Sequence, residues 1–145
     1  MNSEPIKYTY TVDGDDFMSA GSVSADVKKT LKQLGFDKEI IRRVAIAMYE
    51  GEINMVIHAN GGVAEVEITP NRISIALKDK GPGIPDIELA MSEGYSTAPD
   101  NVRALGFGAG MGLPNIKKYT DEMHIDTEIG VGTNVYMTIY TGEQT

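Results

Sequence analysis

Apolar and polar residues alternate in five stretches of the chain, a two-residue period typical of β-strands with one buried face. Two pairs of these stretches are separated only by short turns, Pro70-Asn71 and Gly130-Val131-Gly132, so each pair is predicted to form a β-hairpin. The five predicted strands cover residues 6–12, 63–70, 72–79, 123–129 and 133–140.

Three other stretches carry apolar residues every three to four positions, which predicts helices over about 17–35, 38–59 and 111–120. Gly35 is placed to end the first helix, and Asp37 to cap the second. Helices grouped on one face of a mixed, mainly antiparallel sheet would bury both sets of apolar residues. We therefore expect an α+β fold, a two-layer α/β sandwich, formed by residues 1–145 as a single domain.

Residues 80–110 follow neither pattern and contain only one short predicted helix, at 86–92. About thirty residues with little regular structure inside a compact domain favour a functional loop. We expect a lid over about 86–110.

The composition narrows the function classes. The chain has 145 residues, a formal net charge of −8 and no cysteine. Disulfides and cysteine-based metal sites are excluded, and the acidic balance argues against direct binding of nucleic acid, which needs a basic surface. No bilayer-spanning apolar run and no secretory signal pattern is present, so we expect a cytoplasmic protein that does not bind membranes. ATP is not excluded, because backbone amides and a metal ion can hold phosphate in an acidic protein.

The second predicted helix carries polar residues on one face, since Glu50, Asn54 and His58 are four positions apart. A solvated polar stripe on an amphipathic helix is the simple interpretation. Gly51 and Asn54 argue against it, because both are poor helix formers; the glycine suggests that something approaches the backbone there.

Two glycine-containing segments are further candidates. Asp79 ends a predicted strand and precedes Gly81 and Gly83; this is either an ordinary turn or a carboxylate that accepts a hydrogen bond from an exocyclic amine. The run GFGAGMGL, residues 106–113, precedes a predicted helix but lacks the Lys-Ser/Thr ending of a P-loop. It could present amides to an anion or serve as a hinge.

Taken together, the three segments are more specific. They read E-x-x-x-N at 50–54, D-x-G-x-G-I at 79–84 and G-x-G-x-G-L at 108–113. The chain resembles the GHKL ATPase superfamily, whose ATP site is built from these motifs in this order and whose fold is the Bergerat-type sandwich. The segment EGYSTAP and the small size are similar to the stand-alone serine/threonine kinases of bacterial sigma-factor regulation.

The resemblance implies a role for each motif. Glu50 matches the catalytic carboxylate, Asn54 the Mg²⁺ ligand, and Asp79 the adenine-reading aspartate. Arg103 is a loose match to an arginine that touches the γ-phosphate. The other residues that the resemblance places at the nucleotide are Gly81, Gly83, Ile84, Gly106, Gly108, Ala109, Gly110, Met111, Gly112, Leu113 and Thr133. Ser96 and Thr97 either give hydroxyls to the phosphates, which we favour, or cap the short predicted helix.

The implied activity is an ATP- and Mg²⁺-dependent serine/threonine protein kinase. Its implied substrate is a STAS-type anti-anti-sigma protein, and a sigma factor or a phosphatase would be the alternate partner. Dimerisation of two copies is common in relatives of this type. The alternative is a non-catalytic, ATP-gated protein-binding module, which would not need the carboxylate of Glu50.

Overall fold

A five-stranded sheet and three helices make up the part of the chain that the structure, a computed structural model, describes: residues 5–13, 21–59, 61–84, 91 and 112–141. In chain order the elements are β1 (Ile6–Asp13), α1 (Ser22–Gln33), α2 (Lys38–Ala59), β2 (Gly61–Thr69), β3 (Arg72–Lys78), α3 (Gly112–Tyr119), β4 (Glu122–Glu128) and β5 (Gly132–Tyr140).

The strands lie side by side in the order β1-β2-β3-β5-β4, and each neighbouring pair is antiparallel. The sequence led us to expect a mixed, mainly antiparallel sheet; among the described strands the pairing is antiparallel throughout. Both predicted hairpins are confirmed. Thr69 pairs with Arg72 around the Pro70-Asn71 turn, and Glu128 pairs with Gly132 around the second turn.

The helix boundaries follow the capping residues. Gly35 adopts a positive φ of 83° just after α1, and the Glu39 amide donates to Asp37 Oδ2 at 3.0 Å at the start of α2. The start of α1 corrects the sequence prediction. The helix begins at Ser22 rather than at residue 17, because Gly21 has a φ of 102°, which an α-helix does not contain.

One face of the sheet and the helices enclose the core. α2 lies over β1, β2, β3 and β5, while α1 and α3 flank it. Alternate residues of the central strands point into this layer, as the two-residue period requires. The expected two-layer sandwich is thus confirmed. The core includes Val27, Leu31, Val44, Met48, Ala64, Val66, Ile73, Ile75, Leu77, Ile116, Val135, Met137 and Ile139.

The opposite face of the sheet carries polar and charged side chains. Lys78 Nζ lies 2.8 Å from Glu65 Oε1 across neighbouring strands, and Arg72 pairs with Glu67 at 3.6 Å.

The predicted helix at 86–92 and the predicted lid lie outside the described residues, apart from Met91. In the described part of the chain, none of the helices combines the length and apolar character needed to cross a bilayer.

Candidate functional site

Asp79 immediately follows β3 and is held by the first residues of β5. Its amide donates to the Thr133 carbonyl at 2.9 Å. Its Oδ1 accepts hydrogen bonds from the amides of Gly81, at 2.9 Å, and of Thr133, at 3.1 Å. Both bonds end on the same oxygen. The orientation of the carboxylate is therefore determined through Oδ1, while Oδ2 takes no part in these two bonds.

The segment after Asp79 lies very close to the backbone of other elements. A Cβ at Gly81 would stand 2.7 Å from the Cβ of Ala59, and one at Gly83, which has a φ of 86°, would stand 2.8 Å from the Glu128 carbonyl oxygen. A Cβ at Gly132 would clash with the Asp79 carbonyl oxygen. These glycines are thus required by close packing within the protein itself, and this packing places Asp79 between the end of α2 and the β4–β5 turn.

Glu50 and Asn54 lie on the face of α2 predicted from their spacing, and both are half-buried. Gly81 contacts Ala59 at the C-terminal end of the same helix. At 1.5 Å of rise per residue, Glu50 is about 14 Å along the helix axis from Ala59. This axial distance between Glu50 and the end of the helix that Gly81 contacts is comparable with the length of an extended nucleoside triphosphate.

Partial burial raises the pKa of Glu50, and a hydrogen bond from the Asn115 side chain of α3 acts in the opposite direction by favouring the carboxylate. α3 runs antiparallel to α2. At its other end, Arg43 Nε donates to the Tyr119 carbonyl at 3.1 Å. The N-terminal end of α3 therefore lies toward Asn54.

The structure identifies what approaches Gly51. A Cβ there would clash with Cδ1 of Leu77 in β3, and Ile116 Cδ1 would lie 3.7 Å away. The sequence argument that something comes close to this backbone is correct, but the neighbour is the hydrophobic core. The absence of a side chain at Gly51 allows α2 to pack closely against the sheet.

The remaining predicted nucleotide contacts divide into two groups. Thr133 is buried beside Asp79, Ile84 packs partly against the core, and Gly112 is the first residue of α3. Leu113 is 9% exposed and belongs to the core, so it can offer a ligand only its backbone. Ser96, Thr97, Arg103, Gly106, Gly108, Ala109, Gly110 and Met111 lie outside the described residues.

The sequence reasoning missed three residues that support the site or the helix that carries Glu50 and Asn54. Asn115 reaches Glu50 from α3. Thr127 of β4 accepts the amide of Ile84 and meets the hydroxyl of Thr133. Glu52 is 3% exposed and holds the start of α1. The sequence did contain a signal that Glu52 is buried, because it interrupts an apolar i+4 row formed by Val44, Met48 and Val56. It also contained one for Thr127, because this residue continues the inward-facing positions of β4.

The fold and the site define a class, the GHKL-type nucleotide-binding sandwich. In agreement with it, the model of the histidine kinase-like ATPase domain matches residues 18–139. The chain therefore belongs to the histidine kinase-like ATPase domain family. The resemblance drawn from the three motifs is confirmed.

The chain is also similar to curated proteins along most of its length. Serine/threonine-protein kinase RsbT of Bacillus subtilis is 32% identical over 112 residues, 74% of this chain and 78% of the relative. Anti-sigma F factor of Clostridium beijerinckii is 37% identical over 101 residues, 66% of this chain and 67% of the relative. Anti-sigma F factor of Clostridium acetobutylicum is 27% identical over 94% of this chain and 92% of the relative.

Solved structures share the fold. The RsbU and RsbW domains of a Mycobacterium tuberculosis protein match 95% of this chain with a TM-score of 0.65 and 17% identity; the chain spans 33% of that longer protein. The mycobacterial sensor histidine kinase MprB matches 97% of this chain and 98% of its own, with a TM-score of 0.53 and 16% identity.

Proposed function

We propose that this protein is an ATP-dependent serine/threonine protein kinase of the anti-sigma-factor or switch type. Its substrate is a STAS-type anti-anti-sigma protein, and a sigma factor or a phosphatase is the alternate partner. The kinase activity agrees with the name of the RsbT relative, and the regulatory role with the names of the anti-sigma F factors.

The observation that carries the proposal is the fixed carboxylate of Asp79. Oδ1 is engaged by the amides of Gly81 and Thr133, so Oδ2 is the acceptor left for the exocyclic amine of adenine. A guanine in the same orientation would present its O6 carbonyl oxygen to this carboxylate and be repelled. This arrangement of the Asp79 carboxylate thus fits an adenine nucleotide whose phosphates extend along α2 toward Glu50.

Glu50 is the proposed general base. The hydroxyl oxygen of the substrate serine or threonine forms a bond to the γ-phosphorus, the bond to the β-phosphate oxygen breaks, and ADP leaves. Glu50 accepts the hydroxyl proton. Its raised pKa makes it a stronger base than an exposed glutamate, while the hydrogen bond from Asn115 favours its ionised form.

Asn54 is the proposed protein ligand for magnesium. An amide oxygen suits this hard cation, and Asn54 lies one helical turn from Glu50 on the same half-buried face. Bound Mg²⁺ would supply charge neutralisation on the transferred phosphate. Backbone amides at the N-terminal end of α3, which begins at Gly112, would add to it.

A phosphotransfer assay with mass detection tests the proposal. The protein is mixed with Mg-ATP and, in turn, each STAS-type protein encoded in the same genome. We expect one partner to gain a single phosphate on serine or threonine. Glu50→Ala should retain ATP affinity and slow transfer by about 10²–10⁴-fold. Asp79→Asn should weaken ATP binding roughly ten- to hundredfold, because a charge-assisted hydrogen bond is worth about 1.5–3 kcal/mol.

Glu65→Ala is the matched control, because Glu65 is an exposed carboxylate on the opposite face of the sheet. This substitution should change neither the ATP affinity nor the rate of phosphoryl transfer. Equal ATP affinity in wild type and Asp79→Asn would refute the assignment of Asp79 to the adenine pocket. ATP binding without transfer to any candidate would favour the ATP-gated binding module instead.

A further inference from the structure

The three helices meet at one end of the helical layer, and this end is basic. A short connection, residues 34–37, joins the C-terminal end of α1 to the start of α2, and Arg43 of α2 donates to the Tyr119 carbonyl at the C-terminal end of α3. The Arg42 guanidinium and the Lys118 ammonium lie over the Tyr119 ring, 5.3 and 5.4 Å from its centroid. We call this surface the basic end, and its exposed cationic residues are Lys29, Lys32, Lys38, Arg42 and Lys118.

The acidic residues at the basic end are already engaged. Asp37 Oδ2 accepts the Glu39 amide at 3.0 Å and so caps α2. Glu39 in turn pairs with Arg42 at 2.7 Å. Asp121 pairs with Arg43 at 3.0 Å. The four lysines of the basic end form no ion pair with any residue that the structure describes, so they leave a net positive charge there in a protein whose formal net charge is −8.

Helix stability explains only some of these lysines. Lys32 and Lys118 lie in the last turns of their helices, where a positive charge interacts favourably with the helix dipole. Lys38 is the first residue of α2, where the same dipole disfavours a positive charge. Between Lys32 and Lys38 along the chain, Leu34 is 45% exposed. An exposed apolar side chain among charged ones matches the apolar centre and polar rim of a protein–protein interface.

The direction of phosphoryl transfer brings the protein substrate to this side of Glu50. In the proposed function the phosphates of the nucleotide extend along α2 toward Glu50 from the end of the helix at Ala59. The attacking and leaving oxygens lie roughly in line, so the substrate hydroxyl approaches from the N-terminal part of α2. Arg42 and Lys38 are about 12 and 18 Å from Glu50 along the helix axis. A domain of about 100 residues, with a radius of gyration of about 13 Å, covers this distance.

We propose that the basic end is the docking surface for the protein substrate, and that the matching surface of the substrate is acidic. The inference rests on the proposed function, because the substrate is the protein whose hydroxyl receives the phosphate. Since the formal net charge of the chain is −8, an acidic partner is repelled from most directions and attracted at the basic end. The field therefore selects the orientation in which the substrate lies along the N-terminal part of α2, with its hydroxyl toward Glu50.

The experiment measures the rate of phosphoryl transfer against the concentration of the STAS-type substrate at saturating Mg-ATP. In Lys32→Glu/Lys38→Glu we expect the KM for the protein substrate to rise about tenfold or more, because like charges then face each other. The kcat and the KM for ATP should stay within about twofold of wild type, since docking is lost equally from ground and transition states. Raising the salt from about 50 to 500 mM should raise the wild-type KM and reduce the difference between the two proteins.

The fold should be retained in this variant, because Lys32 ends one helix and Lys38 begins another, so the two substitutions have opposite effects on the helix dipoles. Lys38→Glu alone puts a negative charge at the positive end of α2 and should still raise the KM for the protein substrate severalfold. An unchanged KM in both variants overturns the inference.

Lys7→Glu/Arg72→Glu is the matched control, because both residues are exposed on strands and the double substitution also replaces two positive charges by two negative ones. Its KM for the protein substrate should stay near the wild-type value. An equal rise in the two double variants would show that only net charge matters, and the docking surface would be refuted. Absence of transfer by wild type to every STAS-type protein would instead reject the proposed function, and the docking inference with it.

Discussion

At the scale of single residues, the proposed base and the residue that caps α1 are two glutamates, two positions apart, whose surroundings differ. Glu50 is half-buried, and a hydrogen bond from the Asn115 side chain favours its charged form. Glu52 points to the other side of α2, is almost fully buried and accepts three backbone amides. A base needs partial access to its substrate, and a structural carboxylate needs complete hydrogen bonding, so the two environments suit different tasks.

The first prediction concerns the pH dependence of phosphoryl transfer. Protonated Glu50 cannot act as a base, so the rate falls as the pH drops through its pKa, which burial raises above the ordinary carboxylate value. Asn115→Ala removes a hydrogen bond to the charged form and raises that pKa further. The acidic limb of kcat at saturating ATP should therefore move to higher pH.

Lys117→Ala is the control for this experiment, since Lys117 is exposed on the same helix and two positions away. This substitution should leave the acidic limb of the kcat profile at the wild-type pH. An acidic limb at the same pH in Asn115→Ala and wild type would show that Asn115 does not influence the base.

At the scale of elements, Glu52 joins the middle of α2 to the beginning of α1. Its Oε2 accepts the amides of Gly21, at 2.8 Å, and Val23, at 3.2 Å, and its Oε1 accepts the amide of Ser24 at 3.0 Å. These are amides that a helix leaves without intrahelical partners. α1 has no acidic residue in its own first turn and Gly21 supplies no capping side chain, so the cap comes from another helix.

The second prediction follows from this cap. Glu52→Ala leaves buried amides without acceptors and removes a negative charge from the positive end of a helix, so it should lower the free energy of unfolding by about 2 kcal/mol or more. Glu52→Gln keeps a single acceptor oxygen and should cost less. Urea unfolding monitored by circular dichroism measures both.

Glu65, which is exposed and paired with Lys78, is again the control residue for the stability measurement. Glu65→Ala should cost less than about 1 kcal/mol, as surface ion pairs do. Equal losses in Glu52→Ala and Glu65→Ala would mean that the interhelical cap adds nothing to stability.

At the scale of the whole molecule, the helical layer and the sheet approach each other closely where Gly51 meets Leu77. Both residues are buried, and the space that a methyl group would need at position 51 is filled by Cδ1 of Leu77. The helix that carries Glu50 and Asn54 is seated on β3, which carries Asp79 at its end. The spacing of the two halves of the site thus depends on this contact.

The third prediction tests that contact. Gly51→Ala gains about 1 kcal/mol of helix propensity but overpacks the core at a cost of about 1–3 kcal/mol. We expect a net loss of up to about 2 kcal/mol in the free energy of unfolding, measured in urea. In a Leu77→Ala background, where the space is free, the same substitution should stabilise the protein. Equal effects of Gly51→Ala in both backgrounds would contradict the close approach of the layers.

Much of the fold could be predicted from the chain, because strand period, helix period and capping residues are local signals. Gly35 and Asp37 mark helix ends through their own backbone and side-chain chemistry, and the Pro70-Asn71 turn marks a hairpin. The predicted start of α1 was wrong because the residue that caps this helix, Glu52, is 28 residues from Ser24. A local sequence pattern does not show a cap that comes from another helix.

The sequence by itself determined the order of elements, the two-layer class, and the three motifs whose order indicated an ATP site with Glu50, Asn54 and Asp79. Only the tertiary structure decided how those residues are supported. The partners of Asp79 and Ile84 lie 54 and 43 residues away, and Asn115 reaches Glu50 from a different helix. Hydrogen bonding and burial depend on distance in space. A periodic pattern shows which side of an element is buried, but not which hydroxyl, amide or carboxylate it meets there.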